Sequence, residues 1–306
     1  MATRRDFLKQ AGWLSGTAVA AAVGVETAAA STGPHLDPDR MGVLCDFTLC
    51  IGCRSCEWAC ASSHGLPHAD LQEYSADDSV LDTPRRPDAT SYTVINRFPA
   101  REDGDSPFNA KYNCLHCEHP ACASACPVGA LAKTPQGPVT YDAWKCIGCR
   151  YCMIACPFQI PAYEYRNVLT PQVRKCDLCA DKTLAGGRPA CVDICPQEAM
   201  VFGRRDQLLA LARERITVHP ERYEDHIYGE REVGGTSWIY LADRDFHDLS
   251  LPAVPSESPA VTTERIQHGI FRGFSGPMMM LAIVSVIMKS AGKHPEDLAA
   301  QEAKHD

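Results

Sequence analysis

Sixteen of the 17 cysteines fall into four runs of four, and short, recurring gaps separate the members of each run. The first and third runs share their spacing and the word Ile-Gly-Cys-Arg: Cys50-x2-Cys53-x2-Cys56-x3-Cys60 and Cys146-x2-Cys149-x2-Cys152-x3-Cys156. The second and fourth runs each contain one longer gap: Cys114-x2-Cys117-x4-Cys122-x3-Cys126 and Cys176-x2-Cys179-x11-Cys191-x3-Cys195. Cysteine thiolates at such spacings are metal ligands, so the pattern predicts a metal-binding protein.

The spacing of the first run is that of cysteines that hold a [4Fe-4S] cluster. A loop that carries three cysteines at intervals of three residues can wrap around one face of the cubic cluster. The fourth lies beyond that loop, and in two-cluster ferredoxins it begins a short helix and ligates the other cluster. A proline follows the last cysteine of three runs and turns the chain away, at Pro127, Pro157 and Pro196. Because such runs work in pairs, we predict four [4Fe-4S] clusters as the cofactors.

Two other uses of the cysteines are weighed against iron-sulfur binding. A disulfide framework is common in exported chains, but cysteines three apart in a loop are poorly placed to bridge each other. Zinc fits the fourth run alone, because its two cysteine pairs can form a four-thiolate site, yet the three companion runs favour iron. The sequence contains no c-type haem motif and no glycine-rich nucleotide loop. A net charge of −8 gives no basic surface for nucleic acid.

A few further residues lie next to the runs. Cys45 precedes the first run and is interpreted as a buried thiol that packs as a small apolar residue. Each four-thiolate cube carries a charge of about −2 when oxidised, so nearby cations can raise its reduction potential. The candidate cations are Arg54, Arg150, Arg174 and Lys175, with ordinary solvated charge as the alternative.

The N-terminal segment 1–30 has the features of an export signal. Residues 3–9 match a twin-arginine signal, an uncharged stretch rich in Ala and Gly covers 11–25, and small residues at 28–30 resemble a cleavage site. The twin-arginine route carries folded proteins, which suits a protein that receives its clusters before export. We therefore predict residence on the periplasmic side of a bacterial inner membrane.

Residues 261–290 are interpreted as a linker and a transmembrane anchor, with 269–289 in contact with lipid. The stretch 274–288 contains no charge and lies between two cations. It is short for a span, which needs about 20 residues, but the flanking cations can extend to the two interfaces. The alternative is a core helix. The tail 291–306 would then be cytoplasmic, and His268 would face a quinone-linked partner or be a plain interfacial residue.

The body, 31–260, is predicted to belong to the α+β class. Short apolar pieces at 139–141 and 199–202 are typical of the small strands of a ferredoxin repeat, and 237–241 is a further strand. The spacing of leucines predicts a helix over 205–216.

Two stretches of the body are predicted to lack regular packing. Residues 61–113 form a long polar insertion with one strand at 92–98, and we predict a surface loop that meets a partner. The stretch 251–259 is interpreted as a linker, because it contains proline and serine.

The four runs resemble those of the iron-sulfur subunits of respiratory complexes such as formate dehydrogenase, dimethyl sulfoxide reductase and nitrite reductase systems. Other features are similar to the HybA-like ferredoxin-type subunits of membrane-bound [NiFe] hydrogenases. They are the leader, the terminal anchor, the phrase Cys146-Ile-Gly-Cys-Arg-Tyr-Cys-Met-Ile-Ala-Cys-Pro, and the words Tyr228-Gly-Glu, Gly234-Gly-Thr and Ile266-Gln-His. The resemblance covers nearly the whole chain after the leader.

The resemblance implies two ferredoxin-like halves of the bacterial 2x[4Fe-4S] type, with the first run paired to the fourth and the second to the third. The implied ligands are Cys50, Cys53, Cys56 and Cys195 for cluster 1; Cys114, Cys117, Cys122 and Cys156 for cluster 2; Cys146, Cys149, Cys152 and Cys126 for cluster 3; and Cys176, Cys179, Cys191 and Cys60 for cluster 4. The short gap between the second and third runs independently supports their pairing. The first run departs from the pattern at Ala61, where proline would follow the last cysteine.

The function implied is electron transfer without catalysis. The chain shows no acid-base or nucleophilic constellation of its own. The implied partners are the catalytic subunits of a [NiFe] hydrogenase and an integral membrane, quinone-reactive subunit, between which this chain relays electrons. The nearest alternative is the same relay in a molybdenum or tungsten enzyme, such as a formate dehydrogenase or sulfur-compound reductase. Alternatives of other kinds are a free-standing exported carrier and a zinc-binding interaction scaffold.

Overall fold

A computed structural model describes residues 36–100, 107–166 and 172–291, with the side chains of 267–275 and 289–291 excepted. The predicted export signal at 1–30, the tail beyond residue 291 and the side chain of His268 lie outside the described residues. Helices and short strands are mixed along the described chain, which agrees with the predicted α+β class.

The regular elements are short and spread over the body. The strands are β1 (Met41–Asp46), β2 (Val94–Phe98), β3 (Phe108–Tyr112), β4 (Leu131–Lys133), β5 (Val139–Tyr141), β6 (Ala162–Tyr163), β7 (Val173–Arg174), β8 (Met200–Arg204) and β9 (Trp238–Leu241). The helices are α1 (Ser55–Ser63), α2 (Leu71–Ala76), α3 (Ala121–Ser124), α4 (Tyr151–Ala155), α5 (Ala180–Thr183), α6 (Ala190–Asp193), α7 (Arg205–Val218) and α8 (Pro259–Ala291). The strands and the helix predicted in the body are present, with ends that differ by no more than two residues.

β1 is the middle strand of a sheet in which β8 is its antiparallel neighbour and β9 its parallel neighbour. Alternate residues of a strand point to opposite faces of a sheet. Val43 and Cys45 accordingly pack in the core that contains cysteines of the runs, whereas Leu44 packs in a second core with α7. The sheet therefore has cysteine runs on one face and α7 on the other.

α7 is held against β1 by apolar packing and by one buried carboxylate. Leu208, Leu209 and Ala212 are buried on the face that the leucine spacing predicts. Asp46, at the end of β1, accepts a hydrogen bond from the Arg215 guanidinium at 2.8 Å. Because Asp46 is fully buried, this contact fixes the position of α7 as well as its orientation.

The insertion 61–113 contributes to the core. β2 and β3 form an antiparallel hairpin within it, and Val94, Ile95, Ala110 and Lys111 are buried there. The prediction of a surface loop is wrong for this hairpin. The insertion is polar, but some of its polar side chains form hydrogen bonds in the interior. Its polar composition therefore did not indicate a surface loop.

The stretch 251–259 packs on the body, so its interpretation as a linker is wrong. Leu251 and Ser258 are buried. The Tyr228 hydroxyl donates a hydrogen bond to the Pro252 carbonyl at 2.7 Å, and the Ser258 hydroxyl donates one to the His119 carbonyl at 2.7 Å. These contacts fix the backbone, whereas a linker has a solvated backbone.

The exposed apolar side chains in the second half of α8 run from Met278 to Met288. Within the described residues, no helix is both long and apolar enough to cross a membrane. The predicted transmembrane helix at 269–289 is therefore not borne out.

Candidate iron-sulfur sites

The tetrapeptide Ile-Gly-Cys-Arg forms the same turn in both runs that contain it. Gly52 and Arg54 have φ of 73° and 59°, and Gly148 and Arg150 have φ of 70° and 60°. Positive φ is favourable for glycine and uncommon for a residue with a Cβ atom. The chain therefore bends on both sides of the second cysteine in each run, which is the curled loop that the spacing predicts.

The third cysteine of each run lies in a short helix, and the fourth lies near or beyond the end of that helix. Cys56 and Cys60 lie in α1, Cys122 in α3, Cys152 in α4 and Cys191 in α6, while Cys126, Cys156 and Cys195 follow α3, α4 and α6. The expectation that the fourth cysteine begins a helix is therefore wrong. The helix begins beside the third cysteine, where its first backbone N–H groups have no intrahelical partner and are free to face sulfur.

The first group of thiols, site 1, combines the first run with the fourth. Cys50, Cys53, Cys56 and Cys195 line one cavity. The pKa of Cys50 is raised to about 11, chiefly by burial and in part by the neighbouring Cys195 and Cys53. These four residues are the ligands that the family resemblance implies for cluster 1.

The second cavity, site 4, takes the complementary cysteine from the first run. Cys60 lines it together with Cys176, Cys179 and Cys191 of the fourth run. The first and fourth runs have thus exchanged their last cysteines, which is the arrangement implied for clusters 1 and 4. α1 and α6, which carry the third cysteines of these two runs, contact each other extensively.

The second and third runs also exchange their last cysteines. Site 2 consists of Cys114, Cys117, Cys122 and Cys156, and site 3 of Cys146, Cys149, Cys152 and Cys126. Burial raises the pKa of Cys117, and the other three thiols of site 2 raise it further. Burial likewise raises the pKa of Cys152 to about 11, with the other three thiols of site 3 adding to the effect. Cys117 and Cys152 are therefore each surrounded by the partners implied for their clusters.

Sites 1, 4 and 2 are neighbours in that order. Burial raises the pKa of Cys56 in site 1, and Cys191 of site 4 is among the thiolates that raise it further. Burial also raises the pKa of Cys176 in site 4, and Cys114 of site 2 adds to that shift. Cys56, Cys191, Cys176 and Cys114 also pack in one buried core, so these pairs mark where adjacent sites meet.

Site 3 follows site 2 at the end of this row. The pKa of Cys122 in site 2 is raised to about 12, chiefly by burial, and Cys152 of site 3 is among the thiolates that contribute to the rise. Cys149 of site 3 is exposed, in contrast to the four buried thiols of site 4. The four sites therefore lie in the spatial order site 1, site 4, site 2 and site 3.

The donor set at these sites fits iron-sulfur clusters. All 17 cysteines lie in the described part of the chain, and each carries a free thiol. The disulfide alternative therefore has no support. Groups of four thiols, presented by glycine-containing turns and short helices, are the ligands that cubane clusters require.

Comparison with known proteins identifies the family. Residues 108–205 match the model of the 4Fe-4S dicluster domain. A protein of Nitratidesulfovibrio vulgaris is 48% identical over 79% of this chain, which spans 65% of that relative's length. Hydrogenase-2 operon protein HybA of Escherichia coli O157:H7 is 34% identical over 95% of this chain and 96% of its own length. The formate dehydrogenase-O iron-sulfur subunit of Escherichia coli K12 is 35% identical over 86% of this chain and 87% of its own.

This chain belongs to the HybA and formate dehydrogenase iron-sulfur subunit family. It is accordingly an iron-sulfur electron-transfer subunit and not a catalytic subunit, which confirms both the resemblance seen in the sequence and the prediction that the chain is no enzyme.

Three lysines of this iron-sulfur subunit place ammonium groups among the thiols. Burial lowers the pKa of Lys111, but the thiolates of sites 1 and 4 raise it, and the net shift is upward. Burial lowers the pKa of Lys133 to about 8, although Glu118 and thiolates of site 2 oppose the shift. Lys175 donates hydrogen bonds to the Val139 and Cys176 carbonyls. The sequence analysis missed Lys111 because it is distant in sequence from the first and fourth runs, whose sites it lines. It also missed Lys133, which lies outside the second run.

The arginines predicted to act on the clusters of the iron-sulfur subunit also make structural contacts, and Arg54 lines the cavity of site 1. Arg54 is buried and donates to the Glu57 carboxylate and to the Tyr74 and Asp77 carbonyls. Arg150 is exposed, with its guanidinium over the Tyr163 ring. Arg174 donates to the Tyr92 hydroxyl at 3.3 Å.

Two further side chains border the sites of the iron-sulfur subunit. Cys45 is buried, as predicted, and lines the cavity of site 1 without belonging to a run. His64 lies beside site 4, where one ring nitrogen is 2.9 Å from the Asp177 carboxylate and the other is 2.8 Å from the Cys60 carbonyl. His64, Asp177 and Cys179 lie close enough to share a metal ion, but Cys179 already belongs to site 4.

Proposed function

We propose that this protein is a periplasmic relay that carries four [4Fe-4S] clusters between the catalytic subunits of a [NiFe] hydrogenase and a quinone-linked integral membrane subunit. The observation that carries the proposal is the order of the four thiol groups: Lys111 lines both site 1 and site 4, thiols of sites 4 and 2 pack in one core, and thiols of sites 2 and 3 pack in another. When bound, a [4Fe-4S] cluster at each site supplies a one-electron redox centre. The cysteines of this chain would thus fix four centres in one row.

Two relatives support different catalytic partners. HybA, a hydrogenase-2 operon protein, matches nearly the whole chain, and this similarity favours a hydrogenase. The second candidate is the same relay in a formate dehydrogenase, which the similarity to the formate dehydrogenase-O subunit supports. The periplasmic location rests on the twin-arginine sequence at 3–9.

The test is to isolate the full-length chain with its partners from detergent-solubilised membranes and to quantify iron, zinc, nickel and molybdenum. We expect about 16 iron atoms per copy of this chain beyond those of its partners, because each of four cubane clusters holds four. Nickel in a partner supports the hydrogenase, whereas molybdenum or tungsten supports the formate dehydrogenase. Zinc with little iron would refute the electron-transfer function.

The segment from Trp144 to Ile154, which we call the site 3 face, is proposed as the contact with one partner subunit. Trp144 and Ile154 are 98% and 81% exposed, and Ile147 and Tyr151 between them are also exposed. Exposed aromatic and aliphatic side chains of this kind are typical of the centre of a protein interface. Because this segment contains ligands of an end site of the row, a redox partner bound here would lie next to a terminal cluster.

Replacing Ile154 with aspartate is expected to weaken binding of the partner at the site 3 face by at least about tenfold, because a charge would be buried in an apolar contact. Trp144→Ala should weaken it as well, since truncation of interface tryptophans is often costly. The measurement is the amount of each partner subunit that copurifies with the tagged chain.

The matched control is Val218→Asp, which places the same charge on an exposed apolar residue at the end of α7. That variant should retain both partners. Iron content should equal the wild-type value in all three variants, because the replaced side chains are exposed. Full retention of every partner by Ile154→Asp and Trp144→Ala would show that the site 3 face is not an interface.

A further inference from the structure

Lys111 is a buried ammonium in the core that contains the cysteines. It lies on β3 and is 1% exposed. Its ammonium donates a hydrogen bond to the Thr93 hydroxyl. It also lies 5.5 Å from the centre of the Trp238 ring. Both neighbours are neutral, and a buried ammonium whose partners are neutral is unfavourable unless an anion lies close by.

Lys111 lies between two of the four thiol groups. It lines the cavity of site 1 and the cavity of site 4. Among the described lining residues, it is the one that the two cavities share. Its position is fixed by the β2–β3 hairpin, in which it pairs with Ile95, another residue that lines site 1. The hairpin therefore inserts one fixed positive charge where two cluster sites meet.

The anions that such a charge would balance are the clusters themselves. A cube held by four thiolates carries about −2 when oxidised and gains another negative charge on reduction. We propose that Lys111 is the shared counter-cation of sites 1 and 4 and that it makes both clusters easier to reduce. This inference rests on the proposed iron-sulfur function. The low exposure of Lys111 matters, because water and salt screen a buried charge less than they screen a charge on the surface.

The test is Lys111→Met, which keeps the length of the side chain and removes its charge. Potentiometric titration of the intact complex, followed by electron paramagnetic resonance, measures the reduction potential of each cluster. We expect the reduction equilibrium constants of two of the four clusters to fall by at least about tenfold, which is 59 mV for a one-electron couple. The other two clusters should keep potentials close to the wild-type values, because the cavities that Lys111 lines are those of sites 1 and 4.

The matched control is Lys182→Met. Lys182 is an exposed lysine in α5, close to Cys179 of site 4, and donates a hydrogen bond to the Ser63 hydroxyl at 3.0 Å. Lys182→Met removes the same charge from the same region. We expect only a small shift of the reduction potential at site 4, because solvent screens the charge of an exposed lysine. Lys111→Arg, which keeps the charge, should restore both potentials most of the way to the wild-type values.

Each outcome decides the inference. Unchanged potentials in Lys111→Met, or an equal shift of all four clusters, would overturn it. Lys111→Met could lose two clusters and so retain only about half of the iron. In that case, a wild-type iron content in Lys111→Arg would show that the positive charge is needed to hold the two clusters. Equal loss of iron in both variants would show that side-chain shape matters instead, and would overturn the inference. A wild-type protein without iron would refute the proposed function itself, which separates the two failures.

Discussion

Replacing Glu57 with alanine is expected to lower the free energy of unfolding by about 3–5 kcal/mol, because it leaves buried charge without its partner. The Glu57 side chain is 1% exposed and accepts hydrogen bonds from Arg85 at 2.5 Å and from the Ile95 N–H at 2.5 Å. It also accepts one from Arg54, which is itself buried. The measurement is urea unfolding of the iron-loaded protein, followed by circular dichroism.

The Glu57 network also joins elements that form two of the sites. Glu57 lies in α1 between Cys56 of site 1 and Cys60 of site 4, and its contact with Ile95 joins α1 to the β2–β3 hairpin. Loss of the network should therefore loosen the hairpin that carries Lys111. We expect Glu57→Ala to release iron faster than the wild type does when both are treated with a chelator.

The control for Glu57→Ala is Asp78→Ala, which removes the ion pair between Arg97 and Asp78 at 3.2 Å. The Asp78 side chain is 66% exposed, so we expect a loss of about 0–1 kcal/mol. Glu57→Gln, which keeps one acceptor oxygen but removes the charge, should fall between the two. If Glu57→Ala cost no more than Asp78→Ala, the network would have no special role in stability.

Features that depend on neighbouring residues could be predicted from the sequence. Strand β5 and the first residue of α7 agree with their predictions, because turn residues and leucine spacing encode them locally. The matching turns at Gly52 and Gly148 are likewise encoded locally, by the tetrapeptide Ile-Gly-Cys-Arg that occurs at both positions.

Features that depend on contacts between distant residues could not be predicted. The pairing of β1 with β9 joins residues about 195 positions apart, and spacing within either strand does not reveal it. The polar residues of the insertion suggested a loop, yet Lys111 is buried there because the sites of two other segments surround it. A lysine is ordinarily a surface residue, so composition alone gives the wrong answer where a buried cofactor supplies the countercharge.

Replacing Cys60 with alanine is expected to remove one of four clusters, and the cluster lost should be that of the fourth run. Cys60 lines site 4 with Cys176, Cys179 and Cys191, not the cavity of its own run. Iron should therefore fall from about 16 to about 12 atoms per chain. The measurement is iron per purified chain, with electron paramagnetic resonance to count the remaining clusters.

Double variants test the exchange of cysteines directly. Cys60→Ala with Cys176→Ala removes two ligands of one site, so iron should stay at about 12 atoms. Cys60→Ala with Cys50→Ala removes ligands of two sites, so iron should fall to about 8. Cys45→Ala should keep the full amount, because Cys45 lines site 1 but belongs to no run. If instead the pair Cys60 and Cys50 lost one cluster and the pair Cys60 and Cys176 lost two, each run would hold its own cluster, and the exchanged arrangement would be wrong.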